Sequence, residues 1–209
     1  MAASDYPLQL DIEYPEEPNR LTTFFRLILA IPVFIVGGMV SGSGFSGAVG
    51  EYSQDVAVGA GGALIFAPLL MILFRRKYPR WWFDWNLNLL RFGTRITAYV
   101  LLLQHEYPST DEDQGVDLRL EYPNAETELT RWMPLVKWLL AVPHYLVLVP
   151  LTIGLFIAVI VAWFAILITG RMPRQLFDYM VGVLRYGSRV GAYATLLTTD
   201  VYPPFSIKE

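Results

Sequence analysis

The 209-residue chain contains no cysteine, only two histidines and only 17% charged residues. Without cysteine it can form no disulfide bond, no thiolate metal site and no cysteine nucleophile. The histidines, His105 and His144, leave little for a histidine-based metal centre. His144 stands in an apolar run where an axial haem ligand could lie, but Val33 takes its place in the first half, which favours a packing role. We therefore predict no metal and no cofactor, with His144 as the one weak cofactor-binding candidate.

Hydrophobic residues, in contrast, make up 54% of the chain and are concentrated in long runs. The runs Leu21–Val40 and Val56–Phe74 match the roughly 20 residues that a helix needs to cross about 30 Å of hydrocarbon. The stretch Met133–Ile168 would be roughly 54 Å long as one helix, which is too long for one crossing. Pro150–Gly154 near its centre is typical of a turn. These runs predict four transmembrane helices arranged as two helical hairpins.

The first run of each half carries the same landmarks. Arg26 and Pro32 interrupt the run in the first half, and Lys137 and Pro143 stand at the corresponding places in the second. Because proline lacks an amide hydrogen and clashes with the preceding turn, we predict a kink at both prolines.

The positions of the basic residues predict an orientation. All 16 lysines and arginines lie outside the predicted turns, Val40–Asp55 and Pro150–Gly154. Membrane proteins keep their Lys/Arg-rich loops in the cytoplasm. The chain is therefore predicted to be a multi-pass inner-membrane protein with both termini in the cytoplasm.

A second kind of segment is written twice, as Trp81–Leu103 and, about 94 positions later, as Gln175–Leu197. On a helix, the first copy places polar side chains at i, i+4, i+7 and i+11, which form one stripe on an apolar and aromatic cylinder, and the second copy repeats this spacing with a glycine at i+4. The stripes are Asp84, Asn88, Arg91 and Arg95 in the first copy, and Asp178, Gly182, Arg185 and Arg189 in the second. A repeat with a fixed period indicates a duplicated unit. We predict two repeats, residues 1–110 and 111–209.

Each predicted repeat also begins with a short alternating segment, Leu8–Pro15 and Val116–Pro123. Apolar residues at every second position predict a half-buried strand, and the proline ends it. Two such strands could pair with each other and join the halves. The fold class is thus predicted as mainly α, with short β-strands before each hairpin.

The repeat helices are long enough to span a membrane, but their polar stripes would be costly against lipid. We predict that each lies on the cytoplasmic interface as an amphipathic helix, with Trp81 and Trp82 at the membrane–water boundary. The alternative is a third span in each half, with its stripe buried against the other copy.

The order of these motifs resembles the DUF4389 family of bacterial membrane proteins. The motifs are Tyr14-Pro15, Pro79-Arg80, Phe83-Asp84, Arg91–Arg95, Ala98-Tyr99 and Tyr107-Pro108, then Pro173-Arg174, Phe177-Asp178, Arg185–Arg189, Ala192-Tyr193 and Asp200–Phe205. The resemblance implies two tandem copies of the family repeat in a multi-span bacterial membrane protein without an established activity. The first copy departs from the second in having Gln104-His105-Glu106 where the second has Thr199-Asp200-Val201.

Two groups of side chains are candidate binding residues. A basic and aromatic group that follows the apolar runs should attract anionic lipid headgroups, at about 1 kcal/mol for each cation near the surface. Its members are Arg75, Arg76, Lys77, Arg80, Trp81, Trp82, Arg171 and Arg174. The polar stripes form the second group, which could bind an anionic headgroup or a partner, or could simply pack the two repeats together. Because the basic residues are dispersed along membrane edges, nucleic acid is not predicted as a partner.

No Ser-His-Asp spacing and no metal motif occurs in the sequence, so we predict that the protein is not an enzyme. We expect an accessory or scaffold subunit of a larger inner-membrane complex, which contacts anionic lipids and other membrane proteins or a second copy of itself. The alternative is a small transporter or channel with the Asp/Arg stripes at the repeat interface. A weaker alternative is a lipid-modifying enzyme that uses Asp84 or Asp178.

Overall fold

The computed structural model describes residues 6–15, 18–41, 67–110, 112 and 114–208. In chain order, its elements are β1 (Leu8–Ile12), α1 (Arg20–Leu29), α2 (Ile31–Ser41), a π-helical turn (Met71–Arg75), α3 (Arg80–Val100), β2 (Val116–Leu120), α4 (Met133–Leu140), α5 (Val142–Thr169) and α6 (Arg174–Ala194). The structure is mostly helical, with one small sheet.

The two strands form an antiparallel pair in which Leu10 faces Leu118. Alternate residues of both strands are buried, as the period of two requires, while Asp11 and Asp117 are exposed on the other face. A two-stranded ribbon is marginal alone, so its apolar face must be covered. The predicted strands and their pairing are confirmed.

The repeat helices α3 and α6 provide that cover. Each is 21 residues long and starts directly after a proline in extended conformation, Pro79 or Pro173. Helix α3 packs against β2, and α6 packs against β1. Each helix therefore packs against the strand that comes from the other half of the sequence, so the two halves are interlocked through the sheet.

Helix α5 lies against the other side of α6 and runs antiparallel to it. His144 near the start of α5 contacts Tyr186 near the end of α6, and the hydroxyl of Tyr179 donates to the carbonyl of Leu151 at 2.9 Å. Gly170, with φ of +74°, ends α5 in the left-handed conformation that glycine adopts without strain. The largest core cluster joins the sheet, α6 and the second half of α5.

The prediction of four transmembrane helices as two hairpins is wrong. Residues 150–154, the predicted turn, lie inside the continuous helix α5, which has 28 residues. Pro150 removes one amide donor, but Tyr179 packs across this segment at Gly154 and bonds Leu151, so the helix continues. Within the described ranges α5 is the one helix long and apolar enough to cross a membrane, and α1 with α2 makes a second only if this bent pair counts as one span.

The predicted kinks are confirmed as helix breaks one or two residues before the prolines. Helices α1 and α2 are separated at Ala30 and bent by 42°, and Pro32 lies in the first turn of α2. Helices α4 and α5 are separated at Ala141, and Pro143 lies in the first turn of α5. Proline is tolerated there because the amides of the first turn have no intrahelical acceptor. The predicted span Val56–Phe74 lies mostly outside the described residues.

Candidate functional site

The first arginine of each stripe, Arg91 or Arg185, binds the sheet. The Arg91 Nε atom donates to the carbonyl of Leu118 at 3.0 Å, and the Arg185 Nε atom donates to the carbonyl of Leu10 at 2.6 Å. Arg185 also pairs with Asp11 at 3.1 Å. Since Leu10 and Leu118 face each other in the sheet, the two arginines hold equivalent points of the two strands.

The next stripe arginines bind loops. Arg95 donates to the carbonyl of Ser109 at 2.9 Å, and Arg189 donates to the carbonyls of Ser206 and Lys208. Both arginines are buried, whereas Asp84, Asn88 and Asp178 are exposed. No ion pair that involves either aspartate occurs in the part of the chain that the structure describes. These contacts give no support to a transport path lined by the stripes.

The recurring Tyr, Phe and Arg motifs form two matched aromatic clamps, each of which joins a tyrosine of one half to a phenylalanine and an arginine of the other. A tyrosine that follows a strand meets a phenylalanine edge-on, lies under an arginine and donates its hydroxyl to a backbone carbonyl. The members are Tyr122, Phe83, Arg80 and the carbonyl of Tyr78 in one clamp, and Tyr14, Phe177, Arg174 and the carbonyl of Met172 in the other. The ring centroids are 5.2 and 5.1 Å apart. These motif residues therefore have a structural task that needs no catalysis.

The predicted lipid-binding group divides in the structure. Arg75, Arg76, Lys77 and Arg171 are exposed, and Trp81 has 67% of its surface exposed. Arg80 and Arg174 are also exposed, but their charges lie over the tyrosine rings of the two clamps, and Trp82 is half-buried beside Trp85. Four exposed cations and one large aromatic residue thus lie at the surface outside the clamps.

Two buried cations emerge only in the structure, where Arg26 and Lys137 occupy matching places. Lys137 is fully buried, donates to the carbonyl of Thr199 at 2.7 Å and lies over the ring of Tyr193. Its Nζ atom is 2.7 Å from Asp200 Oδ1, without the alignment of a hydrogen bond, so we describe the contact as an ion pair. The sequence signal was a basic residue that interrupts an apolar run at the same place in both halves.

Arg26 has a different set of partners. It donates to the carbonyls of Tyr99 and Gln104 at 2.9 Å each, and its Nη2 atom is 2.9 Å from His105 Nδ1. Burial and the charge of Arg26 lower the pKa of His105 to about 4. The ring is therefore neutral at pH 7, and its Nδ1 atom is the acceptor.

Acidification should weaken the fold through His105. Between pH 6.5, the ordinary histidine pKa, and about pH 4, the unfolded chain binds a proton that the folded chain does not bind, so the free energy of unfolding falls as the pH falls. At pH 5 we expect a loss of about 1 kcal/mol, allowing for the half-exposed ring, or a Tm lower by roughly 2–4 °C. Thermal unfolding at pH 7.5 and pH 5 should show this loss in the native chain and not in H105Q. An equal loss in both proteins would contradict the assignment.

His144, the weak cofactor candidate, is fully buried among aromatic rings. Its Nδ1 atom is 2.6 Å from the hydroxyl of Tyr186, and its ring stacks on Phe205 with centroids 4.2 Å apart. Tyr202 lies beside it at 4.6 Å. This environment fits the packing role that the sequence favours.

A wide groove lies between α3 and α6. Its volume is about 660 Å³, and α5 forms its third wall with residues such as Leu148 and Leu155. Small residues line it at i and i+4 on both repeat helices, Gly93 with Thr97 and Gly187 with Gly191. A Cβ atom added at Gly93 or Gly191 would meet no atom within 4 Å. The groove is therefore apolar, open and wide enough to admit a bulky group.

Helix α5 presents a second apolar surface. Its large side chains are exposed along its whole length, as in Leu146, Ile153, Ile157, Phe164 and Ile168, whose exposed fractions lie between 53% and 74%. A soluble monomer rarely leaves so continuous an apolar surface uncovered. Among the described residues no cluster of three His, Asp or Glu side chains is placed to hold a metal ion.

Comparison with known families gives one match. Residues 131–206 match the family described as a domain of unknown function, DUF4389. The match covers α4, α5, α6 and the C-terminal segment, so the resemblance stated from the motifs is confirmed for the second half of the chain. No curated protein and no solved structure is significantly similar to the chain.

Proposed function

We propose that the protein is a non-enzymatic accessory or scaffold subunit of a membrane complex, and that the groove between α3 and α6 receives a helix of a partner membrane protein. The shape of the groove supports this proposal, because small residues at i and i+4 let a partner backbone approach closely, as in helix pairs within membranes. Its lining is apolar, which fits a transmembrane helix better than a polar solute.

The membrane setting of this proposal is supported by α5 and by the exposed cations. An 18-residue stretch of helix α5 has a mean hydropathy of 2.8, and the exposed face of the helix would lie against lipid chains. Arg75, Arg76, Lys77 and Arg171 would contact anionic headgroups, and the membrane that we propose is the bacterial inner membrane.

The matched contacts of the two halves support a further part of the proposal, that the chain arose by tandem duplication of one DUF4389-like unit. The aromatic clamps occur as two equivalent copies between the halves, and the strand-binding arginines and the buried cations each occur once in either half.

The proposal is tested by purifying the tagged protein from its native membrane in mild detergent and identifying what co-purifies. We expect a stoichiometric membrane protein partner. G93L and G191L place a bulky side chain in the groove, so the recovered partner should fall about tenfold or more. Q175L, which adds an apolar side chain at an exposed site outside the groove, is the matched control. Recovery of the chain alone, or equal recovery with all variants, would refute the partner site.

A further inference from the structure

Arg26 is a buried cation without a counter-anion. Only 2% of its surface is exposed, and its hydrogen-bond partners are two backbone carbonyls and the neutral ring of His105. No acidic side chain pairs with it in the described ranges. Burying a charge is costly unless an opposite charge compensates it.

The matching cation in the second half does have its anion. Asp200, the partner of Lys137, belongs to the triplet Thr199-Asp200-Val201, and the first half has Gln104-His105-Glu106 in the same place. His105 therefore replaces the internal carboxylate by a neutral ring. The first half lacks a negative charge at the point where the second half carries one.

A cavity adjoins the uncompensated cation. Its volume is about 340 Å³, and it lies between α1, the C-terminal end of α3 and α5. Arg26 and Thr23 line it, and each keeps a buried polar atom without a partner, Nε and Oγ1 respectively. The volume is within the range of small-molecule sites, about 300–1,000 Å³.

The rest of the cavity wall is apolar and reaches the exposed face of α5. Leu27, Ile160 and Phe164 line the cavity, and more than half of each of these side chains is exposed. Trp163 completes the wall and donates to the carbonyl of Thr23 at 3.2 Å. The cavity thus has a cationic inner end and an apolar mouth.

We propose that this cavity binds one single-chain anionic amphiphile, whose carboxylate or phosphate accepts hydrogen bonds from Arg26 Nε and Thr23 Oγ1. The acyl chain would lie along Leu27, Ile160 and Phe164. The ligand supplies Arg26 with the negative charge that the neutral ring of His105 cannot supply. Asp200 plays the same part for Lys137. This site is separate from the groove between α3 and α6 and does not rest on the proposed partner.

The first test compares head groups. Delipidated protein in amphipol is titrated with palmitate, with 1-palmitoyl lysophosphatidate and with neutral hexadecanol, and bound ligand is counted by native mass spectrometry. We expect one palmitate or lysophosphatidate per chain, bound about tenfold or more tightly than hexadecanol. The tighter of the two acids distinguishes a fatty acid from a phospholipid source. Equal binding of hexadecanol, or no binding of either acid, would overturn the proposal.

The second test uses variants that leave Arg26 in place. H105D supplies an internal carboxylate, so the affinity for the acid should fall about tenfold or more while the fold is kept. I160W fills the mouth of the cavity and should also abolish binding. I157W adds the same side chain at an equally exposed site of α5 outside the cavity and should bind the acid as the native chain does. Native affinity in both H105D and I160W would show that the acid binds elsewhere.

Discussion

Replacing Asp200 by asparagine should lower the free energy of unfolding by about 3–5 kcal/mol, because it leaves a buried ammonium group without its counter-charge. The Nζ atom of Lys137 is fully buried and 2.7 Å from Asp200 Oδ1. Burial lowers the pKa of Lys137, and the nearby charge of Asp200 opposes this shift only in part. Without Asp200 the lysine must either stay charged in an apolar place or lose its proton, and both alternatives cost stability. Unfolding of D200N in detergent, followed by circular dichroism, measures the loss.

A double-mutant cycle separates the ion pair from the rest of the site. Combining K137M with D200N removes both charges, so about 2 kcal/mol or more of the loss should be recovered. D11N is the matched control, because Asp11 pairs with Arg185 at 3.1 Å but has 82% of its side chain exposed, and its loss should be below about 1 kcal/mol. Equal losses for D200N and D11N would show that burial does not strengthen the Lys137 pair.

The local pattern was enough to predict the sheet and the repeat helices. Leu8–Ile12 and Val116–Leu120 alternate with a period of two, and only a pairing that hides one face of each strand buries those leucines. The kinks at Pro32 and Pro143 were likewise predictable, because proline has no amide hydrogen to donate to the preceding turn. These features depend on residues close together in the sequence, which explains why they could be read from it.

The turn predicted at Pro150–Gly154 failed because the deciding contact is not local. Proline and glycine there fit both a turn and a helix that another helix holds in place. Tyr179, on α6, packs on Gly154 and bonds the Leu151 carbonyl, so the helix prevails. Length arithmetic on the apolar stretch Met133–Ile168 could not reveal that partner.

In the candidate site, too, the deciding contacts join residues that are distant in the sequence. The sequence singled out the stripe arginines, but Arg91 and Arg185 bind carbonyls of strands that lie far away in the chain or belong to the other half. It identified Arg26 and Lys137 only as landmarks, because the identity of their partners, His105 and Asp200, depends on how the loops after α3 and α6 fold back. The substitution of histidine for aspartate was visible, but its meaning required the structure.

Introducing an arginine at Ile157 should remove most of the protein from the membrane if the exposed face of α5 contacts lipid. Ile157 lies near the middle of α5 and has 59% of its surface exposed. An arginine at the centre of a transmembrane helix costs about 2.5–3.5 kcal/mol on insertion scales. The amount of I157R in carbonate-washed membranes should therefore fall about tenfold or more. Y145R is the matched control, since an arginine in the first turn of α5 can extend its charge to the interface at little cost.

Because the native chain has no cysteine, a single introduced cysteine can also test whether this face of α5 contacts lipid, without adding a charge. In liposomes, I157C should resist a membrane-impermeant maleimide, because lipid chains would surround that side chain, while Q175C on the exposed start of α6 should react rapidly. Detergent solubilisation should make both sites react, which controls for burial within the protein. If I157C and Q175C are labelled equally in intact liposomes, and I157R is recovered normally in membranes, this face of α5 meets water. The apolar surface would then need a protein partner to cover it.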